Sequence, residues 1–273
     1  MIYPIGSTLY RAYRYFQGPT SGQVDQREDT VIVPDSVNRF GATGATVNVP
    51  ILNVLEWFSL LPAAAVAAAT CKLYTLIGSG TPVAAQSTKG GLRLTTGATA
   101  TNQAGVAGIA ATGTTFPITA SSFIVLHGRI FVPSLTTVAY YSAGLNQNPT
   151  DINLMATAGE GVQILADPTN ILTATTGATA AQALNWIICY KINGAYSYIF
   201  TSIPVTPGVD TRFVIQMQPD LTATVTINGV LAGTTNPLAT ANATLSGIAG
   251  VRTNAAATAY TEIRFLQMGR SIG

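Results

Sequence analysis

The sequence predicts an all-β protein, an antiparallel two-sheet jelly-roll sandwich. Three observations predict it. Leu221 to Ile227 reads LTATVTI, with Leu221, Ala223, Val225 and Ile227 apolar and Thr222, Thr224 and Thr226 polar. That period of two marks a strand with one dry and one wet face. Asn228-Gly229 follows it, and Asn193-Gly194 separates two other strand-like runs. Asn-Gly suits a two-residue hairpin turn because both residues tolerate positive φ. Finally, ten strand-like runs follow one another with no convincing helix between them, which argues against a βαβ layout. A two-sheet sandwich buries so many one-sided strands.

Taken in order, residues 1–45 stand apart. They carry eight of the 24 charged residues, together with Tyr3, Tyr10, Tyr13, Tyr15, Phe16 and Phe40. No period is sustained, and Gly18, Pro19, Ser21 and Gly22 break the run. An extended arm whose rings anchor it to a partner fits this pattern. So does a first strand and loop of the main domain. From Ile51 to Thr70 the chain reads ILNVLEWFSLLPAAAVAAAT. Asn53, Glu56 and Pro62 interrupt it, which argues against a membrane span. Ile51, Val54, Leu55, Phe58 and Leu61 fall at helical spacing, so a short helix stopped by Pro62 is expected. Residues 1–72 are thus read as an arm with a helical, Ala-rich connection, and residues 73–273 as the sandwich.

Strands are expected at KLYTLIG from Lys72, GLRLTT from Gly91, FIVLHGRIFV from Phe123, TVAYYSAGL from Thr137 and GVQILA from Gly161. They continue with LNWIICYK from Leu184, AYSYIFTS from Ala195, FVIQMQ from Phe213, LTATVTI from Leu221 and TEIRFLQMG from Thr261. Pro219 and Asp220 turn the chain between the FVIQMQ and LTATVTI runs. Thr95–Thr115 and Thr173–Ala183 are Thr/Ala/Gly stretches that read as linkers, long surface loops or quiet edge strands.

Composition excludes several functions. Charged residues make up 9% of the chain, against roughly 25% in an ordinary soluble domain. The net charge is +2 with no basic stripe, so nucleic-acid binding is not expected. A surface with so little charge has little repulsion to hold copies apart. Cys71 and Cys189 are too few for a disulfide framework. Cys189 sits in an apolar run and reads as a buried free thiol. The N-terminus lacks a charged start followed by an apolar core, so synthesis in a cytoplasm is expected.

Chemistry-bearing constellations are missing. Glycoside hydrolysis needs two carboxylates on one cleft. The four glutamates, Glu28, Glu56, Glu160 and Glu262, are scattered. The only histidine, His127, shares a strand face with Phe123, Val125 and Phe131, as a hydrogen-bonded sandwich residue would. Asp151 with Asn153, or Asp167 with Asn170, is thin support for calcium, which takes six to eight oxygens. No phosphate loop or dinucleotide fingerprint is present. No catalytic residue, metal or cofactor is therefore assigned.

The runs LRLTTGATATNQAG from Leu92, FIVLHGRIFVPSLTTVAYYSAGLNQNPTD from Phe123 and FVIQMQPDLTATVTINGVLAG from Phe213 resemble the concanavalin-A-like (laminin-G-like) jelly rolls of tailed-bacteriophage virion proteins. The resemblance spans residues 73–273. It implies a capsid decoration (cement) protein, a head fibre or another external virion component, commonly a homotrimer, with the major capsid protein or other virion proteins as partners. On that reading Tyr10, Tyr13, Tyr15 and Phe16 anchor the arm, and Arg11 and Arg14 pair with partner carboxylates. The same aromatics would also serve packing within their own domain. A second expectation is a carbohydrate-binding fibre head, with Tyr140, Tyr141, Tyr196 and Tyr198 stacking on sugars or, as the alternative, pairing across strands. Neither reading is enzymatic.

Overall fold

The structure, a computed structural model, describes residues 51–56, 74–108, 115–117, 123–135, 139–153, 159–168, 179–239 and 244–271. The arm residues Tyr10, Arg11, Tyr13, Arg14, Tyr15 and Phe16, and Cys71, lie outside them.

Sixteen strands are described: β1 Ile51–Glu56, β2 Tyr74–Ser79, β3 Val83–Gln86, β4 Leu92–Thr95, β5 Gln103–Gly108, β6 Thr115–Pro117, β7 Ile124–Phe131 and β8 Ala139–Asn146. They continue as β9 Gly161–Ala166, β10 Asn185–Ile192, β11 Ala195–Pro204, β12 Asp210–Met217, β13 Ala223–Ile227, β14 Val230–Thr234, β15 Thr244–Thr253 and β16 Tyr260–Ser271. One short helix, α1 Ala180–Ala183, is closed by a capping box between Thr179 and Gln182.

The strands form two antiparallel sheets. Sheet A runs β14-β13-β12-β7-β16-β4-β3, and sheet B runs β11-β10-β9-β8-β15-β5-β2. Each has one long spine that holds two short strands end to end. In sheet A, β16 pairs with β4 through Tyr260–Ile263 and with β1 through Leu266–Ser271. In sheet B, β15 pairs with β5 through Ile248–Arg252 and with β6 through Thr244–Ser246. This is the all-β jelly roll the sequence predicts.

Alternation fills the space between the sheets. Phe213, Ile215 and Met217 of β12, Ala223, Val225 and Ile227 of β13, and Leu92 and Leu94 of β4 are buried there. Tyr141, Trp186 and Ile188 meet them from sheet B. Each large apolar side chain so buried contributes about 1.5–3 kcal/mol. The expected turns are present. Asn193 and Gly194 have φ of 48° and 79°, and Asn228 and Gly229 have 50° and 81°. At the β12–β13 turn the Asp220 Oδ1 accepts from the Thr222 amide at 3.0 Å and hydroxyl at 2.7 Å.

Three sequence expectations are corrected. Helical spacing was read from Ile51, but residues 51–56 form β1 and pair with β16, so the sandwich takes in part of the segment read as connection. A six-residue stretch gains more from a long-range antiparallel ladder than from one and a half turns of helix, which is marginal alone. Second, the Thr/Ala/Gly stretch from Thr95 contains β5, a fully buried strand between β15 and β2. Third, α1 lies at the end of the Thr173–Ala183 stretch, where no helix was expected.

Candidate functional site

Both sheets have an outer face, and the side chains that alternate with the core populate it. The outer face of sheet B gathers most of the candidate binding residues. Antiparallel register sets Ile187 between Leu165 and Phe200, Cys189 between Gln163 and Tyr198, and Lys191 opposite Tyr196. Tyr140 of β8 joins Leu165 and Ile187 in one cluster, against which Tyr198 and Phe200 pack. The Tyr198 and Phe200 rings stack with centroids 6.4 Å apart and planes 10° off parallel. The Lys191 ammonium lies 4.8 Å from the Tyr196 ring centroid. Tyr196, at 42% exposure, forms the open end of this aromatic row.

Small residues let this face close down. A Cβ on Gly144 would meet the Val162 carbonyl oxygen and lie 2.5 Å from the Gln163 Cγ, so glycine lets the Gln163 side chain lie across β8. Beside it, the segment after β8 folds back over the sheet. Ile152 sits above Gly105 and Gly250, packed with Ala107, Ile248 and Ile77. The Ile152 amide donates to the Gln103 Oε1 at 3.0 Å, and its carbonyl accepts from the Ser142 hydroxyl at 2.8 Å.

Three buried polar atoms here have no hydrogen bond among the described residues: the Tyr140 hydroxyl, the Gln163 Nε2 and the Arg252 Nε. Burial pushes the Tyr140 phenol above its usual range, and the Asp151 and Asp167 charges push the same way. The Arg252 guanidinium, 6.0 Å from the ring centroid, pulls it back in part. Arg252 also pairs with the Asp151 carboxylate at 3.5 Å. Burial raises the Cys189 thiol to about 12, against a smaller opposite pull from Tyr198 and Lys191. Burial likewise raises the Tyr198 phenol, with Cys189 adding to it. These groups are therefore neutral at physiological pH.

Of the four tyrosines expected to stack on sugars, the structure brings Tyr140, Tyr196 and Tyr198 to this face. Tyr141 is corrected: it points into the core, because successive residues of β8 face opposite ways. Gln163 and Arg252 were not singled out from sequence. Their signal was position, on strands whose outward residues are otherwise small or apolar.

The outer face of sheet A is the second candidate, and it is an ion-pair network. Glu262 accepts from Arg93 at 2.6 Å and pairs with Arg264 at 2.7 Å; Arg264 also reaches Asp210 at 3.0 Å. Burial alone would raise the Glu262 carboxyl, but hydrogen bonds from Arg93 and Ser87 and the arginine charges outweigh it and hold it below the usual value. His127 Nε2 accepts from the Arg212 Nε at 2.8 Å, which requires a neutral imidazole, and its ring meets Phe265 edge-on. The hydrogen-bonded sandwich histidine is thus as expected. Among the described residues no group of three or more His, Cys, Asp or Glu is placed to hold a metal ion, and no helix is long and apolar enough to cross a membrane.

Glu160 and Asp151 also make structural contacts. Glu160 accepts from the Asn193 amide at 3.1 Å and the Ala239 amide at 3.3 Å, and Asp151 accepts from the Asn153 amide at 2.7 Å.

No known family matches the chain, and no curated protein matches it in sequence. Solved structures do match in fold. A glycoside hydrolase family 16 endo-glucanase from Bacteroides ovatus superposes with a TM-score of 0.55 at 8% identity, covering 79% of this chain and 99% of that one. Lectin II from Ulex europaeus gives 0.54 at 13% identity, covering 81% and 97%. A protein of unknown function from Shewanella oneidensis gives 0.56 at 11% identity and covers 93% and 96%. At these identities the likeness is one of architecture: the chain has a concanavalin-A-type jelly-roll fold.

Proposed function

We propose that this protein is a non-enzymatic structural component of a virion, a decoration (cement) protein on the capsid surface. The sandwich stands outward, its copies associate, and residues 1–45 tie it to the major capsid protein or another virion protein. The observation that carries the non-enzymatic half is the use of the described carboxylates. Of the six carboxylates whose side chains are described, Glu262, Asp210 and Asp151 are held by arginines, Glu160 and Asp220 receive backbone amides, and Asp167 is fully buried. A pair free to act as acid and base on a sugar, as this architecture would need for hydrolysis, is not found among the described side chains. The virion half rests on the sequence resemblance and on a chain with only 9% charged residues, suited to lasting contact with neighbours. Weak contacts repeated over a lattice add through avidity. Deleting residues 1–45 is expected to abolish capsid attachment while the sandwich stays folded. Unchanged occupancy on particles refutes the arm's role.

A second reading, carbohydrate recognition by an external fibre head, is favoured by the outer face of sheet B. There the Tyr198–Phe200 stack and the exposed Tyr196 ring offer aromatic faces on which a sugar can stack. A glycan array separates the readings. Specific binding lost in Tyr198→Ala supports recognition; silence across the array leaves the cement role.

A further inference from the structure

We propose that two copies of this protein pair through the β11 edge of sheet B, antiparallel about a twofold axis. Among the described residues β11 ends its sheet, and at ten residues it is much longer than the four to six residues of β2 and β3. An edge strand offers a row of backbone N–H and C=O groups to any strand that comes alongside. Proteins usually guard such edges with lysine, inward charges, bulges or early proline. β11 reads AYSYIFTSIP: it carries no charge, and its single proline comes at the last position.

The neighbouring edge is equally unguarded. β14 ends sheet A on the same side of the sandwich, where Gly233 approaches Ile188 and Ile199. It reads VLAGT, with Val230 at 56% and Leu231 at 64% exposure. The opposite side differs. There β2 turns directly into β3 through Gly80 and Thr81, both at positive φ, so the two short edges are joined.

A second copy is the occupant that this edge suits. A twofold axis places each edge against itself, so charges of one sign on it would be brought from both copies onto one short seam and repel. An uncharged strand escapes that repulsion. A register centred on Ile199 sets Tyr198 opposite the partner's Phe200, which extends the existing ring stack, and sets Tyr196 opposite the partner's Ser202. The axis keeps the layers in order, so the two β14 edges also come together and cover Val230 and Leu231. The ten residues of β11 are about 34 Å long and the five of β14 about 17 Å, each edge with its side chains roughly 10 Å deep. That gives roughly 500 Å² per copy, about 1,000 Å² in all, the lower bound for a specific interface. The result is a twofold pair, where the resemblance implies a trimer. It does not depend on the virion role, because it is measured on the purified chain.

The test is sedimentation of the full chain. The wild type is expected at twice 28.3 kDa. Tyr196→Lys/Ser202→Lys is expected to sediment as a monomer with an unchanged circular dichroism spectrum. Ala98→Lys/Ala100→Lys, which adds the same charge in the exposed β4–β5 connection, is expected to remain dimeric. Mixing the lysine variant with Tyr196→Glu/Ser202→Glu is expected to restore a heterodimer, which a misfolded variant would not do. A monomeric wild type, a trimer, or a dimer unmoved by the lysines overturns the pairing.

Discussion

Replacing Ile152 by alanine tests whether the segment after β8 is bolted to the outer face of sheet B. Ile152 is fully buried above Gly105 and Gly250, with Ala107, Ile248 and Ile77 around it. The change removes three carbons, worth about 2.4 kcal/mol at roughly 0.8 per buried group. The hole does not collapse readily, because the Gln103 and Ser142 side chains hold the Ile152 backbone in place. A residual cavity adds to the loss, so the expected cost is about 3–4 kcal/mol. At about 2–4 °C per kcal/mol the melting temperature falls by roughly 6–16 °C. The partner substitution is Gly105→Ala. Its new Cβ would lie 2.6 Å from the Ile152 Cγ2, and 3.0 Å from the Ala249 carbonyl oxygen. Ile152→Ala removes the first clash, so Gly105→Ala costs less in that background. Urea unfolding of all four proteins should give a coupling of about 1 kcal/mol or more, the single costs exceeding the double. Strict additivity would show that Ile152 does not rest on Gly105.

Other outcomes follow from the same contacts. Cys189 should resist thiol reagents in the native protein at pH 8 and react on unfolding; rapid native labelling contradicts its burial. Because the native Cys189 and Tyr198 hold their protons more tightly than the unfolded chain, their stabilisation is complete below their ordinary values and is lost as pH rises toward the raised ones. Stability should therefore fall above about pH 9, and Cys189→Ala should make the early part of that fall shallower in alkaline denaturation curves. The lowered carboxyl of Glu262 acts in the opposite range: its stabilisation is present above its ordinary value of 4.5 and is lost as pH falls through the depressed one. Glu262→Gln should cost about 1–3 kcal/mol at neutral pH, as hydrogen bonds to charged groups do, and flatten the acid limb. Gly229→Ala meets no atom within 4 Å, so only its φ of 81° matters, and about 1–2 kcal/mol is expected in urea melts.

Much of the fold was legible because most strands carry one apolar and one polar face. All ten expected runs contain strands, and both Asn-Gly turns fall where read. The strands that escaped notice lack that contrast. β5 is QAGVAG, small on both faces where Gly105 admits Ile152, and β15 is TLSGIAGVRT, in which glycines and apolar residues fall on both faces. β1 looked helical because six residues satisfy either period, and only its ladder with β16 decides. The site was half legible. Alternation alone places Tyr196 and Tyr198 on one face and His127 with Val125 and Phe131. That Tyr140 and not Tyr141 faces outward depends on the absolute phase of β8, which only pairing with β9 and β15 sets. Glu262 read as an isolated acid because its arginines come from β4 and from the bulged spine of β16.

The central proposal, an external cement protein with no reaction of its own, is tested most directly by electron microscopy of the assembled particle at chain-tracing resolution. The account predicts the sandwich on the outer shell in regular copies, its N-terminal segment bound to the capsid lattice. A particle that lacks the chain, or carries it only as isolated copies at a tail tip, would contradict it.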